Sequence, residues 1–126
     1  MLVLLDTHVL LWLLFDDRRL TPRATEALEN SRCHVSIVSF WEMAVKISLG
    51  KLRLPKSLAE IAEACRHMDI DIDELTMEDC VRVQTLPFIH RDPFDRIIIE
   101  HAMEQQMTLI SHDGLVRQYP SLHVIW

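Results

Sequence analysis

The sequence predicts an α/β protein in which a parallel β-sheet is covered by helices on both faces. Short β-rich apolar runs alternate with helical runs along the chain, and most helical runs open on a capping residue. Strands joined through helices close by right-handed crossovers, which makes neighbouring strands parallel.

Leu2 to Leu5 (LVLL) reads as the first strand, and the HVLLWLLF that begins at His8 as a helix apolar nearly all round. Thr21-Pro22 supplies an N-cap and a proline at the first helical position, opening a helix through Asn30. HVSIVS (34–39) is β-branched and predicts a buried strand. Ser39 and Glu42 have the spacing of a capping box, so a helix is expected from Ser39 to Gly50, with the glycine ending it. Ser57 and Glu60 repeat that spacing ahead of an amphipathic helix to Met68. Ile70, Ile72 and Leu75 suggest a short strand, and Thr76 with Asp79 caps a helix to about Thr85. Asp92-Pro93 opens a long helix to about Met107. TLIS (108–111) and LHVIW (122–126) are the last strands, with a turn at Asp113-Gly114.

The 126 residues are 49% hydrophobic and 25% charged, within the range of one globular domain spanning 1–126. With two glycines, five prolines and no biased tract, no linker or repeat is expected. The apolar start MLVLLDTHVLLWLLF lacks an N-terminal basic region, the first arginine being Arg18, and Asp6 and His8 interrupt it. A span would need about 20 apolar residues. The expectation is a cytoplasmic protein with no membrane segment. Cys33, Cys65 and Cys80 form no C-x-x-C pair and read as buried small apolar residues rather than a disulfide or zinc framework. A formal net charge of -6 excludes a broad basic surface, so an anionic substrate needs local help.

In open parallel sheets, sites form beyond the carboxyl ends of strands. Asp6 follows the first strand, Glu42 lies in the helix after HVSIVS, and Asp113 comes two positions after TLIS. Asp95 joins from the first turn of the helix at 93–107. Each has a structural explanation too: Glu42 in a capping box, Asp92 an N-cap, Asp95 at a positive helix start, Asp113 before a turn glycine. Their coincidence on one rim outweighs these explanations. Four carboxylates brought together repel one another and hold protons unless a cation neutralises them. Hard cations such as Mg2+ or Mn2+ take oxygen ligands, and one or two of them assist phosphodiester hydrolysis.

LLDTHVLLW, SIVSFWEMAVKISLGKLRLP, HRDPFDRIIIEHA and LISHD, in this order over almost the whole chain, resemble PIN-domain proteins of the VapC toxin type. The resemblance implies a three-layer α/β/α sandwich with a parallel five-stranded sheet and a Mg2+- or Mn2+-dependent endoribonuclease. It also implies a toxin inhibited by a co-expressed antitoxin protein. Carried over to this chain, it makes Asp6, Glu42, Asp95 and Asp113 the catalytic, metal-binding acids. Asp113 follows Ser111-His112, where the family often has Thr-x-Asp. Asp92 competes with Asp95, which is preferred because the cap already accounts for Asp92. Thr7, Ser39, Asp92 and Ser111 are expected to orient acids or waters. Arg96, Lys46, Lys51 and Arg53 are candidates to contact RNA phosphates, against the plainer reading of a solvated basic face or, for Arg96, an acidic partner.

His8, His90 and His112 each lie within two residues of a site acid but match no metal-binding histidine motif, so surface or supporting roles are expected. The apolar first helix suggests a homodimer and an antitoxin groove nearby. Two other functions stay open: a PIN-fold binding module without activity, and an aspartyl-phosphate phosphohydrolase with Asp6 as nucleophile. The second lacks the usual carboxylate two residues on, where His8 stands.

Overall fold

The computed structural model describes residues 1–126. Five strands, β1 (Leu2–Leu5), β2 (Arg32–Ser36), β3 (Asp71–Asp73), β4 (Thr108–Ile110) and β5 (Val124–Ile125), form one sheet in the order β3-β2-β1-β4-β5. All four pairings are parallel. Six helices connect them: α1 (Thr7–Phe15), α2 (Pro22–Glu29), α3 (Ile37–Ser48), α4 (Leu58–His67), α5 (Met77–Val83) and α6 (Pro93–Glu104). Strand order reverses at β1, whose neighbours are β2 and β4. That crevice is the expected place for a ligand in a doubly wound sheet.

Burial on both faces follows from the period of two along the strands. Val3 and Leu5 of β1 point into one core, with Val9 and Leu10 of α1, Met43 of α3 and Ile61 of α4. Leu4 points the opposite way and packs with Ile98, Ile99 and Ala102 of α6 and with Tyr119. Leu11 to Phe15 of α1 are only partly buried against the first core. No helix is long and apolar enough to cross a membrane.

Most capping signals act where the sequence places them. Thr21 caps α2, Ser57 and Glu60 form a reciprocal box on α4, as do Thr76 and Asp79 on α5, and the Asp92 carboxylate accepts from the Phe94 and Asp95 amides. The expectation around Ser39 needs correction. β2 ends at Ser36, which caps α3 by accepting from Val38 N at 3.0 Å, and Ile37 and Val38 are already helical. Ser39 and Glu42 therefore sit inside the helix, buried, and make no capping box. α6 also stops short of Met107: Gln106 turns left-handed at φ 55 and the Met107 amide reaches back to Ala102 O at 2.9 Å. β3 excludes Leu75, and Cys80 is exposed while Cys33 and Cys65 are buried.

α5 packs on α6 through a chain of buried polar groups. Asp73 bridges His34 Nδ1 at 2.8 Å and His101 Nε2 at 2.9 Å, and His101 Nδ1 lies 3.4 Å from Asp79. Beyond Asp79 sits Glu100, buried and without a conventional partner for either oxygen. Two adjacent carboxyls share a proton readily. Burial raises Asp79, but the Thr76 amide, Glu100 and His101 outweigh it and hold its carboxyl below the usual range. Burial and the Asp79 neighbour push Glu100 up to about 7. The folded chain keeps this proton to about 7 while the unfolded chain releases it near 4.5, so stability falls as pH rises across that window. Glu100→Gln should flatten that fall and, at about pH 8, make the protein more stable by roughly 2 kcal/mol. Thermal melts at several pH values check this; an unchanged pH slope would contradict it.

Candidate metal centre

The site is assembled at the strand-order reversal. Asp6 leaves the carboxyl end of β1 and caps α1, its Oδ1 accepting from Val9 N at 2.8 Å. Its Oδ2 accepts from Ser111 Oγ, just past β4, at 2.5 Å. The Ser111 hydroxyl oxygen in turn accepts from Asp113 N at 3.1 Å, so one serine ties two of the candidate acids together. Burial drives the Asp6 pKa up against these hydrogen bonds, and the Asp113 charge adds to the rise.

Glu42 comes from the first half of α3 and is only 3% exposed. Thr7 Oγ1 lies 2.8 Å from both Glu42 Oε1 and Ser39 Oγ. Having one hydroxyl proton, Thr7 donates it to the carboxylate and can accept from Ser39. Lys46, one turn on, donates to Glu42 Oε2 at 2.6 Å. This hydrogen bond holds the Lys46 pKa above its usual range, and the charges of Asp92 and Asp95 add to it.

Asp95 sits in the first turn of α6. Burial, then the charges of Asp92, Glu42 and Asp6, push it up to about 7, against the opposing influence of His90. A carboxyl shifted so far by three other acids is a group waiting for a counter-charge. His90, for which the sequence suggested a surface or supporting role without naming a partner, sits between Asp95 and Asp113. Asp92 N donates to its Nδ1 at 3.2 Å, which leaves the ring proton on Nε2. That nitrogen lies 2.7 Å from Asp113 Oδ2 and 3.3 Å from Asp95 Oδ2. In this tautomer His90 is a donor that holds two acids rather than a metal ligand. Its position in a loop, with partners 5 and 23 residues away, gave no periodic signal. The His90 hydrogen bond and the Leu115 amide outweigh burial and keep Asp113 below the usual carboxylate range.

The candidate substrate contacts fare differently. Lys46 is at the site but paired. Lys51 and Arg53 lie beyond the end of α3, where neither makes an ion pair or a side-chain hydrogen bond. Arg96 is a correction: it is 7% exposed and faces no acid. Its Nη1 donates to Pro87 O and His90 O, both at 3.1 Å, and its Nη2 to Val83 O at 3.2 Å and Leu86 O at 3.0 Å. A guanidinium so occupied anchors the loop that carries His90 and has both Nη groups committed to the main chain.

As a donor set, Asp6, Glu42, Asp95 and Asp113 are all oxygen, which suits a hard divalent cation. Two of the four, Asp95 and Asp113, lie beside His90 so that one polar atom of each of these three residues falls within 4.8 Å of the others. Burial first, and the neighbouring carboxylates after it, lift Asp95 and Asp6, and a cation would offset both costs.

A doubly wound sheet with acids gathered at its reversal point defines a class of candidate metal-dependent hydrolases. The model of the PIN domain matches residues 3–121, and the chain belongs to that family. It is 28% identical over 132 residues to Ribonuclease VapC22 of Mycobacterium tuberculosis, spanning 98% of both chains. Among solved structures, its fold resembles VapBC2 from Rickettsia felis bound to a promoter DNA fragment, with a TM-score of 0.72 at 12% identity over 99% of this chain and 98% of that one. VapBC-1 from nontypeable Haemophilus influenzae gives 0.70 at 17% identity over 99% and 97%.

Proposed function

We propose that this chain is a divalent-cation-dependent endoribonuclease, the toxin of a toxin-antitoxin pair, acting in the cytoplasm as a homodimer restrained by a cognate antitoxin. The observation that carries the reading is the convergence of Asp6, Glu42, Asp95 and Asp113 at the sheet reversal, with Asp95 pushed up to about 7 by burial and then by its acidic neighbours. Similarity to a ribonuclease along the full length supports the choice of RNA as substrate, and the VapBC structures support the antitoxin.

In this reading Asp6, Glu42 and Asp95 hold Mg2+ or Mn2+, and Asp113 aids that site or a second one. The cation supplies Lewis acidity at the scissile phosphate and makes water a better nucleophile. The protein's own residues orient and charge the site. Ser111 fixes the Asp6 carboxylate, Thr7 and Lys46 fix the two oxygens of Glu42, and His90 holds Asp113 beside Asp95. Asp95 gives up its proton as a cation enters, so cation binding tightens with rising pH. A phosphohydrolase using Asp6 as nucleophile fits less well, because both its oxygens already accept hydrogen bonds in a buried setting.

Purified, antitoxin-free protein should cut total cellular RNA in Mg2+ or Mn2+ and stop when EDTA is added. Folded, cation-loaded protein that leaves RNA intact would turn the assignment toward a PIN-fold binding module.

A further inference from the structure

Trp41 and Phe94 immediately precede two of the site acids, Glu42 and Asp95. They come from different helices, α3 and the first turn of α6, yet their rings meet edge to face with centroids 4.9 Å apart and planes at 80°. Trp41 remains 59% exposed, and Ile37, one turn earlier on α3, is 42% exposed. An indole this open is not there to fill the core.

The charge inventory explains why such a surface matters. The chain carries a net charge of -6, so the field of the whole molecule repels a polyanion. Near the acids, Lys46 is paired with Glu42 and Arg96 is held by four backbone carbonyls. Arg91, exposed and next in sequence to Asp92, makes no ion pair. Beyond the proposed divalent cation, affinity for RNA must then come largely from contacts that need no positive charge, and base stacking on aromatic rings is such a contact.

Resting on the ribonuclease reading above, we infer that Trp41, supported by Phe94, stacks an unpaired nucleobase of the RNA next to the scissile phosphate, with Arg91 meeting a flanking phosphate. The substrate is therefore single-stranded at the cut, since a paired base has no free face to offer. Trp41 is a positioning residue: it sets where the backbone lies relative to the acids. A second copy of the chain is the weaker candidate for this surface, because a two-fold contact here would bring two acid clusters toward each other.

The test is steady-state cleavage of a single-stranded oligoribonucleotide by the full chain with Mg2+ or Mn2+, comparing Trp41→Ala, Trp41→Phe and a substrate with one abasic nucleotide. Trp41→Ala should raise KM about ten-fold with kcat within about two-fold, and Trp41→Phe should fall between it and the parent. Removing the stacked base should cost the parent protein a similar factor and cost Trp41→Ala nothing further. An unchanged KM in Trp41→Ala overturns the inference, and if that variant also loses self-association in sedimentation, the surface joins copies of the chain. If the parent cuts no RNA, the ribonuclease reading is what fails. Stacking is then read from tryptophan fluorescence quenching by an unstructured oligoribonucleotide, and quenching equal in the parent and Trp41→Phe overturns it.

Discussion

Asp95→Asn should lower RNA cleavage on the order of a thousand-fold and, in the same protein, raise the melting temperature measured without metal. The two effects have one cause. Burial makes the charge of Asp95 costly, and Asp92, Glu42 and Asp6 add to that cost, which is why its carboxyl rests at about 7. Above that pH the folded protein carries an unfavourable negative charge that the neutral amide lacks. The variant should therefore be more stable by roughly 1–2 kcal/mol at about pH 8, or a few degrees in Tm. Below about pH 5 the carboxyl is protonated in the folded chain and the advantage should fade. The amide also removes an anionic ligand, so Mg2+ or Mn2+ should raise the Tm of the parent more than that of the variant. Calorimetry with and without cation, beside cleavage rates, reads all of this. A variant that stays active, or that melts lower at pH 8, would remove Asp95 from the proposed centre.

Arg96→Met should be the most destabilising single change of a charged residue in this chain, by about 3–5 kcal/mol. Its guanidinium satisfies the carbonyls of Val83, Leu86, Pro87 and His90, and a methionine of similar length leaves all four without that donor. For a domain of this size the loss should lower Tm by about 10 °C or more. Tyr119 also pins the loop, donating to Pro87 O at 2.8 Å and accepting from His90 N at 2.9 Å, so the segment should loosen rather than detach. Because that segment carries His90, cleavage should fall even at temperatures where the variant is folded. Lysine cannot span four carbonyls, so Arg96→Lys should recover little of the loss. A melting temperature within 2–3 °C of the parent, roughly the scale of 1 kcal/mol or less, would show the carbonyls find other donors.

These two residues also mark what a linear sequence discloses. Asp95 was legible because its signal is local: Asp92-Pro93 announces a helix start, and the acid falls in the first turn. Thr21-Pro22, Ser57 with Glu60, and Thr76 with Asp79 worked for the same reason, each cap being complete within four residues. Arg96 was read as a contact to RNA phosphate or the partner of an acid because nothing in its neighbours says that its partners are main-chain carbonyls up to 13 residues away. The Ser39–Glu42 spacing misled because Ile37 and Val38 prolong the β-branched run past the true end of β2, and burial of Ser39 against Thr7 overrides the local pattern. α3 ends at a left-handed glycine, Gly50, which is readable. α4 and α6 end at left-handed Asp69 and Gln106, residues that carry no such mark. The strand order was not predicted, since it depends on which crossovers return to which side of β1.

The hydrogen bond from Ser111 to Asp6 joins positions 105 residues apart. Asp6 is made 105 residues before Ser111. At about 5–20 residues per second, the earliest acid waits roughly 5–20 s before its partners exist. During that interval an emerging chain has neither the central β1–β4 pairing nor the fourth carboxylate, and it cannot assemble the proposed centre. The proposed centre therefore comes together only once the chain has been made through Asp113.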